Sequence, residues 1–272
     1  YEAPSFAEPY HVYADLLSTH EKRRESLLPY MLASYLEEEN DHYARAAADS
    51  LQNNVSHSAA IEFMEKRYQR LSSMDCGAPA ALSFIDLLED YGCPARAIEE
   101  MDKALERYKG SWPLVSFASR FWIRIGNWHK ARACVDALEK SNNKISYYGA
   151  AVYYFEMSGQ WQEAVRIAKL WFDEAPGDEN ARRYHLKLVG ISQGLSERLA
   201  LVKSWCEAKP HNETYQDLYL SELSNGDDHE TRIELLNTRL EKNKDDAWAW
   251  RELGRTVSEK YECLSVDERQ NL

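Results

Sequence analysis

The side chains best suited to chemistry in this sequence are eight histidines and five cysteines, and none lies in a catalytic or metal-binding motif. There is no HExxH, GxSxG or glycine-rich phosphate loop, and no CxxC spacing that would enclose zinc. We interpret each histidine as a surface or helix-end residue, and Cys134 and Cys206 as buried packing residues. The sequence therefore predicts a chain that is not an enzyme and has no metal or cofactor. The histidines are His11, His20, His42, His57, His129, His185, His211 and His229, and the cysteines are Cys76, Cys93, Cys134, Cys206 and Cys263.

The charge balance disfavours nucleic acid as a partner. The 272 residues include 33 Lys+Arg and 45 Asp+Glu, a formal net charge of −12. Binding to a phosphate backbone needs an excess of cations, which this chain lacks. No apolar run approaches the roughly 18 residues that cross a bilayer, so we expect a soluble chain without membrane insertion. Scattered, unpaired cysteines favour a reduced, cytoplasmic location.

A period of about 34 residues organises most of the chain. Small or apolar residues recur at helical spacing in segments that begin at Ala97, Ala131 and Ala164, which are 34 and 33 residues apart. A glycine lies five residues before each alanine, where a helix must end and the chain must reverse. The pattern predicts helix-turn-helix units. These glycines are Gly92, Gly126 and Gly159.

Further along the chain the same period is carried by proline and tryptophan. Pro176 and Pro210 are again 34 residues apart, and Trp250, Leu253 and Gly254 read W-x-x-L-G. The sequence here resembles the tetratricopeptide repeat family, whose 34-residue unit has W-x-x-L-G early, a small residue in its second helix and proline near its end. In that frame the repeats start near residues 78, 112, 145, 179, 213 and 247.

The resemblance implies an all-α fold, an α-solenoid of antiparallel helix pairs wound into a right-handed superhelix. Two units depart from the family pattern, since Arg198 and Arg232 occupy positions where the family prefers alanine. An alternative is another antiparallel helix-pair array, such as the half-repeat type of RNA-processing scaffolds. Both interpretations give an α-solenoid over residues 78–272.

Residues 1–77 are expected to form a separate helical segment, either degenerate repeats or a cap. Ala3–Pro9 is predicted to be an extended lead-in, because each proline disfavours helix in the residue before it. Helices are predicted over Glu21–Glu39, Asp41–Leu51 and Ser58–Leu71. One apolar face is expected in the first of them. It consists of Leu27, Leu28, Met31, Leu32 and Tyr35.

The ends of the chain suggest an incomplete array. The chain opens at Tyr1 without an initiator methionine, which suggests a mature form or an excised piece. A repeat array usually needs a polar cap at each terminus, and the last helix is followed by little that would cover it. We therefore expect truncation or a partner there, and self-association through terminal helices is a further possibility.

The resemblance also implies a binding groove, because in the family the first helix of each unit lines the concave surface that holds extended peptides. Three of these helices carry two cations at i, i+4, although the chain as a whole is acidic. Arginine suits carboxylates because its planar fork donates two parallel hydrogen bonds. The groove residues implied by the frame are Phe117, Arg120, Arg124, Tyr153, Arg183, Tyr184, Lys187, Trp248, Arg251 and Arg255.

The function that follows is a non-catalytic protein-protein interaction scaffold that binds an acidic or carboxylate-bearing peptide. A competing interpretation of the same residues is that Glu156 and Asp217 bridge to neighbouring cations and only join first helices together. The Lys/Asn clamp that some family members use for chaperone tails is not reproduced. Two other functions stay open: the helical accessory or regulatory part of a larger enzyme, and an RNA-binding helical-repeat scaffold.

Overall fold

The structure is a computed structural model that describes residues 6–210, 212–224 and 228–263. Within these ranges the chain forms fifteen α-helices and no strand, which confirms the prediction of an all-α chain of helix pairs. The helices are α1 (Glu8–Thr19), α2 (Arg23–Leu36), α3 (Asp41–Asn54), α4 (His57–Leu71), α5 (Gly77–Asp90), α6 (Pro94–Arg107), α7 (Trp112–Arg124), α8 (Trp128–Glu139), α9 (Lys144–Met157), α10 (Trp161–Glu174), α11 (Glu179–Gln193), α12 (Leu195–Ala208), α13 (Glu213–Ser224), α14 (His229–Lys242) and α15 (Ala247–Cys263).

Short loops join these helices, and neighbours such as α7 and α8 or α10 and α11 pack on each other. This arrangement makes them antiparallel hairpins. The contacts of α3 with α5, and of α5 with α7, place alternate helices side by side. Alternate helices from α5 onwards begin at residues 77, 112, 144, 179, 213 and 247.

Glycine forms the same turn between the two helices of three hairpins. The N–H of Gly126 donates to the carbonyl of Ile123 (3.0 Å), and the N–H of Asn127 donates to the carbonyl of Trp122 (2.8 Å). Gly126 has φ +79°, in the left-handed region that glycine enters without the steric cost of a Cβ. The turns at Gly92 (φ +69°) and Gly159 (φ +73°) repeat these bonds, so the prediction that helices end there is confirmed.

The chain divides into two compact units, unit 1 (residues 1–154) and unit 2 (residues 155–272). The core of unit 1 combines large side chains such as Phe84, Phe121 and Trp122 with many alanines. Ala97 and Ala131, two of the small residues that mark the period, are fully buried. Small residues at these positions let neighbouring helices approach closely while the large side chains fill the space between them.

Unit 2 has a more aromatic core. Phe172 and Trp205 stack with ring centroids 4.5 Å apart, and Trp205 also contacts Tyr215 at 5.7 Å. Cys206 is buried in the same cluster, and its thiol donates to the backbone carbonyl of Tyr215 (3.0 Å). A second apolar cluster joins α13, α14 and α15.

One prediction for the N-terminal helices is wrong. Helix α1 begins at Glu8 with Pro9 in its first turn, a position that proline tolerates, so the lead-in ends earlier than expected; residues 3–5 lie outside the described residues. The residues predicted to share an apolar face of α2 differ in burial: Leu28 is 66% and Tyr35 56% accessible, whereas Leu27 and Met31 are half-buried. The buried residues of α2 are Ser26, Pro29, Ala33 and Ser34.

Candidate peptide-binding surface

In unit 1 the candidate groove residues lie on α7 and α9. Phe117 and Tyr153 are half-buried and pack against the core. The Nε of Arg124 donates to Glu89 Oε1 (2.9 Å), its Nη2 donates to Glu89 Oε2, and its guanidinium carbon lies 5.6 Å from the centre of the Phe117 ring. Arg120, one turn earlier, is exposed and forms no hydrogen bond or ion pair with the described residues. Arg124 is therefore bridged to a carboxylate, and Arg120 is not.

The carboxylates near these arginines were not predicted from the sequence. Arg45 on α3 pairs with Asp49 (3.3 Å), with Asp86 (3.4 Å) and with Asp90. Burial, together with the neighbouring Asp90 charge, raises the pKa of Asp86. With Glu89, four acids surround Arg45 and Arg124, so ion pairs join α3, α5 and α7 and the local charge is mixed rather than uniformly positive.

In unit 2 two candidate cations of α11 lie near the ring of a third candidate residue, Tyr184. The guanidinium carbon of Arg183 lies 5.7 Å from the centre of the Tyr184 ring, and the Nζ of Lys187 lies 5.9 Å from it. Lys187 also donates to Glu156 Oε1 (2.5 Å), the bridge that the competing interpretation expects. Arg183 is exposed, and its Nη2 donates only to the neutral Asn180 Oδ1 (3.1 Å).

On α15 one candidate arginine forms an ion pair and the other does not. Arg255 pairs with Glu252 (2.6 Å) on its own helix, whereas Arg251 is exposed and has no polar partner in the described chain. Trp248 is 36% accessible and lies under the guanidinium of Arg239, 4.7 Å from its ring centre. Asp217 forms its ion pair with Arg239 on α14 (2.5 Å) and not with a cation on the first helix of a neighbouring hairpin.

One pattern holds in all three cation pairs: the second cation is bridged to a carboxylate, and the first is not. The bridged cations are Arg124, Lys187 and Arg255. Those without a carboxylate partner among the described residues are Arg120, Arg183 and Arg251.

The described cysteines and histidines offer little nucleophilic chemistry. Burial raises the pKa of the Cys134 and Cys206 thiols to about 11, so both remain protonated at neutral pH. The prediction that they are buried packing residues is confirmed. His185 corrects the histidine prediction, because it is buried between Phe172 and Trp205, and burial lowers its pKa. No group of three or more His, Cys, Asp or Glu side chains in the described ranges forms a ready metal-ligand set.

The two arginines that depart from the family pattern are paired. Arg232 is 2% exposed and donates to Glu259 on α15 (2.8 Å). Arg198 donates to the buried Glu222 on α13 (2.5 Å) and packs against Gly190, where a Cβ would lie 2.9 Å from its Cδ. Each departure from a small residue is thus matched by an acid on the next odd-numbered helix.

Structural similarity to solved proteins extends over most of this chain. A tetratricopeptide repeat protein from Parabacteroides merdae matches at a TM-score of 0.48 and 12% identity, covering 92% of this chain and 98% of that one. The Naa15/Naa10 complex bound to HypK-THB matches at a TM-score of 0.49 and 13% identity, covering 96% of this chain and 42% of that one. The C-terminal part of a tetratricopeptide repeat protein from Cytophaga hutchinsonii matches at a TM-score of 0.47 and 12% identity, covering 89% of this chain and 99% of that one.

Tetratricopeptide repeat proteins are therefore among the structures similar to this chain, and the sequence resembles the same family. The similarities are too distant to transfer a ligand or an activity. No protein-family model matches the chain, and no curated protein matches it. None of the described helices is both long and apolar enough to cross a membrane.

Proposed function

We propose that this chain is a non-catalytic protein-interaction scaffold that binds an acidic or carboxylate-ended peptide segment on the first helices of its hairpins. The observation that carries the proposal is the unequal pairing of the cations: Arg120, Arg183 and Arg251 are exposed without a carboxylate partner among the described residues. In a chain of net charge −12 such arginines have many acids to pair with, yet they are left accessible.

The surface on α11 is the best-formed part of the proposed site. Tyr184 stacks on Trp171 with ring centroids 6.0 Å apart, which supports the ring against the body of unit 2. Arg183 and Lys187 lie over Tyr184, so a ligand carboxylate at Arg183 would rest beside a supported aromatic surface. Planar guanidinium groups bind carboxylates through two parallel hydrogen bonds, and aromatic neighbours exclude water from them.

The test is binding of a fluorescent acidic dodecapeptide, rich in Asp and Glu with a free C-terminus, measured by anisotropy on the full chain. Arg183→Glu and Arg251→Glu should each weaken binding at least tenfold, and added salt should weaken the wild-type affinity. Lys169→Glu is the matched control, because it makes the same charge change on the exposed surface of α10.

Equal affinity of wild type, Arg183→Glu and Lys169→Glu would contradict the proposal. Tighter binding of single-stranded RNA than of the acidic peptide would also contradict it, and would favour the RNA-binding alternative.

A further inference from the structure

Two histidines from different helices meet in unit 1, outside the proposed peptide surface. His11 on α1 and His42 on α3 have Nε2 atoms 2.9 Å apart, with ring centroids separated by 4.7 Å and planes inclined at 73°. The His11 side chain is only 12% exposed and packs against Tyr30 and Tyr43, which fixes its ring. The two imidazole nitrogens therefore converge on one point at the edge of the helix pair.

Without a metal ion the two Nε2 atoms share a hydrogen bond, and the same separation suits two nitrogen ligands of one metal ion. With metal–nitrogen distances of about 2.0–2.1 Å, nitrogens in adjacent square-planar or octahedral positions lie about 2.9 Å apart, and tetrahedral ones about 3.4 Å. A carboxylate is also near, because Asp15 Oδ2 lies 3.6 Å from His11 Nε2.

The surroundings orient that carboxylate and favour a cation. The Tyr30 hydroxyl donates to Asp15 Oδ1 (2.7 Å), which holds the carboxylate with its other oxygen towards His11. No lysine or arginine in the described chain forms an ion pair with Asp15.

We propose that His11 and His42 bind one divalent transition-metal cation through their Nε2 atoms, with water completing the coordination. The two imidazoles are the protein ligands, and the Asp15 carboxylate lies outside the coordination shell, where its negative charge favours a cation and it can accept a hydrogen bond from a bound water. Imidazole nitrogens select Ni²⁺, Cu²⁺ or Zn²⁺ over Mg²⁺ and Ca²⁺, which prefer oxygen. The bound ion joins α1 to α3, so it stabilises the N-terminal helices.

The test is calorimetric titration of the full chain, without a polyhistidine tag, with Ni²⁺ at pH 7.5 and again with Mg²⁺. We expect one Ni²⁺ site per chain and no Mg²⁺ binding. His42→Gln, at the exposed partner of the pair, should lower the Ni²⁺ affinity at least tenfold. Asp15→Asn should lower it less.

His20→Gln is the matched control, because His20 is an exposed histidine at the end of α1 and should leave Ni²⁺ binding unchanged. Circular dichroism establishes that each variant keeps its helicity. A folded His42→Gln variant with wild-type affinity would overturn the proposal, as would several weak Ni²⁺ sites that His20→Gln reduces equally. Unchanged affinity in Asp15→Asn would overturn the role of Asp15.

Discussion

At the scale of single residues, whether an arginine or lysine forms an ion pair depends on where the nearest carboxylate lies. Arg124 and Lys187 take acids from a neighbouring odd-numbered helix, Glu89 and Glu156 respectively, whereas Arg183 reaches only an amide. Exposed bridges of this kind contribute about 0–1 kcal/mol each, so their main effect is to decide which cations stay available. The proposed recognition depends on that selection.

The ion pair between the buried Arg232 and the half-exposed Glu259 gives a prediction about pH. The hydrogen bond from Arg232 lowers the pKa of Glu259 below its unfolded value of about 4.3, so the pair stabilises the fold above that pH and stops doing so as pH falls through the lowered pKa. Glu259→Gln should lower the free energy of unfolding at pH 7 by about 1–2 kcal/mol, discounted because Glu259 is 40% exposed.

Urea unfolding of wild type and Glu259→Gln from pH 7 to pH 3 checks this prediction. The difference between them should shrink as the pH falls through the lowered pKa of Glu259. Glu230→Gln is the control, because Glu230 is 84% exposed in its pair with Lys260 and should change stability by less than about 0.5 kcal/mol. A difference that stays constant with pH would refute the account of this pair.

At the scale of helices and turns, the effect of the left-handed backbone conformation of Gly126 can be measured separately from side-chain packing. Gly126→Ala should lower the free energy of unfolding by about 1–2 kcal/mol, because φ +79° is costly for any residue with a Cβ and no neighbouring atom would contact the added methyl group. Gly254→Ala, in the interior of α15 with equally open surroundings, should be neutral or stabilising by up to about 1 kcal/mol. Chemical denaturation that shows the same change for both variants would contradict this explanation.

The helical period and its turns could be predicted from the sequence because they depend on local spacing. Ala97, Ala131 and Gly126 occupy the roles that their positions indicate. The bridge from Glu156 to a neighbouring cation was one of the two interpretations of the sequence, but the Arg124–Glu89 pair and the histidine pair escaped prediction because they join helices one repeat apart. Glu89 lies 35 residues before Arg124, and His11 lies 31 before His42. A search for complementary residues at that separation would have found both.

The apolar face of α2 shows what helical spacing leaves open. Helical spacing identifies an apolar stripe but not what covers it, and here the small residues of α2 are buried instead of Leu28 and Tyr35. Which face of α2 is buried depends on the neighbouring helices. Ala14 on α1 and Ala47 on α3 are fully buried, and small residues allow helices to approach closely. Propensity and spacing alone do not contain that information.

At the scale of the whole molecule, the chain is acidic, and we propose that its few unpaired, exposed arginines bind the ligand. Exposed apolar side chains also occur on terminal helices, with Leu28 on α2 and Trp250 on α15 among them. Self-association through these helices remains a prediction. The peptide surface is the stronger proposal, because it rests on charge and pairing rather than on exposure alone.

The most direct test of this account is a charge swap on unit 2. The double variant Arg183→Glu, Arg251→Glu should lose the acidic dodecapeptide and gain affinity for a lysine-rich peptide of the same length, measured by anisotropy in parallel with wild type. A switch in preference is the result that the account predicts. Undiminished binding of the acidic peptide by the double variant would contradict it.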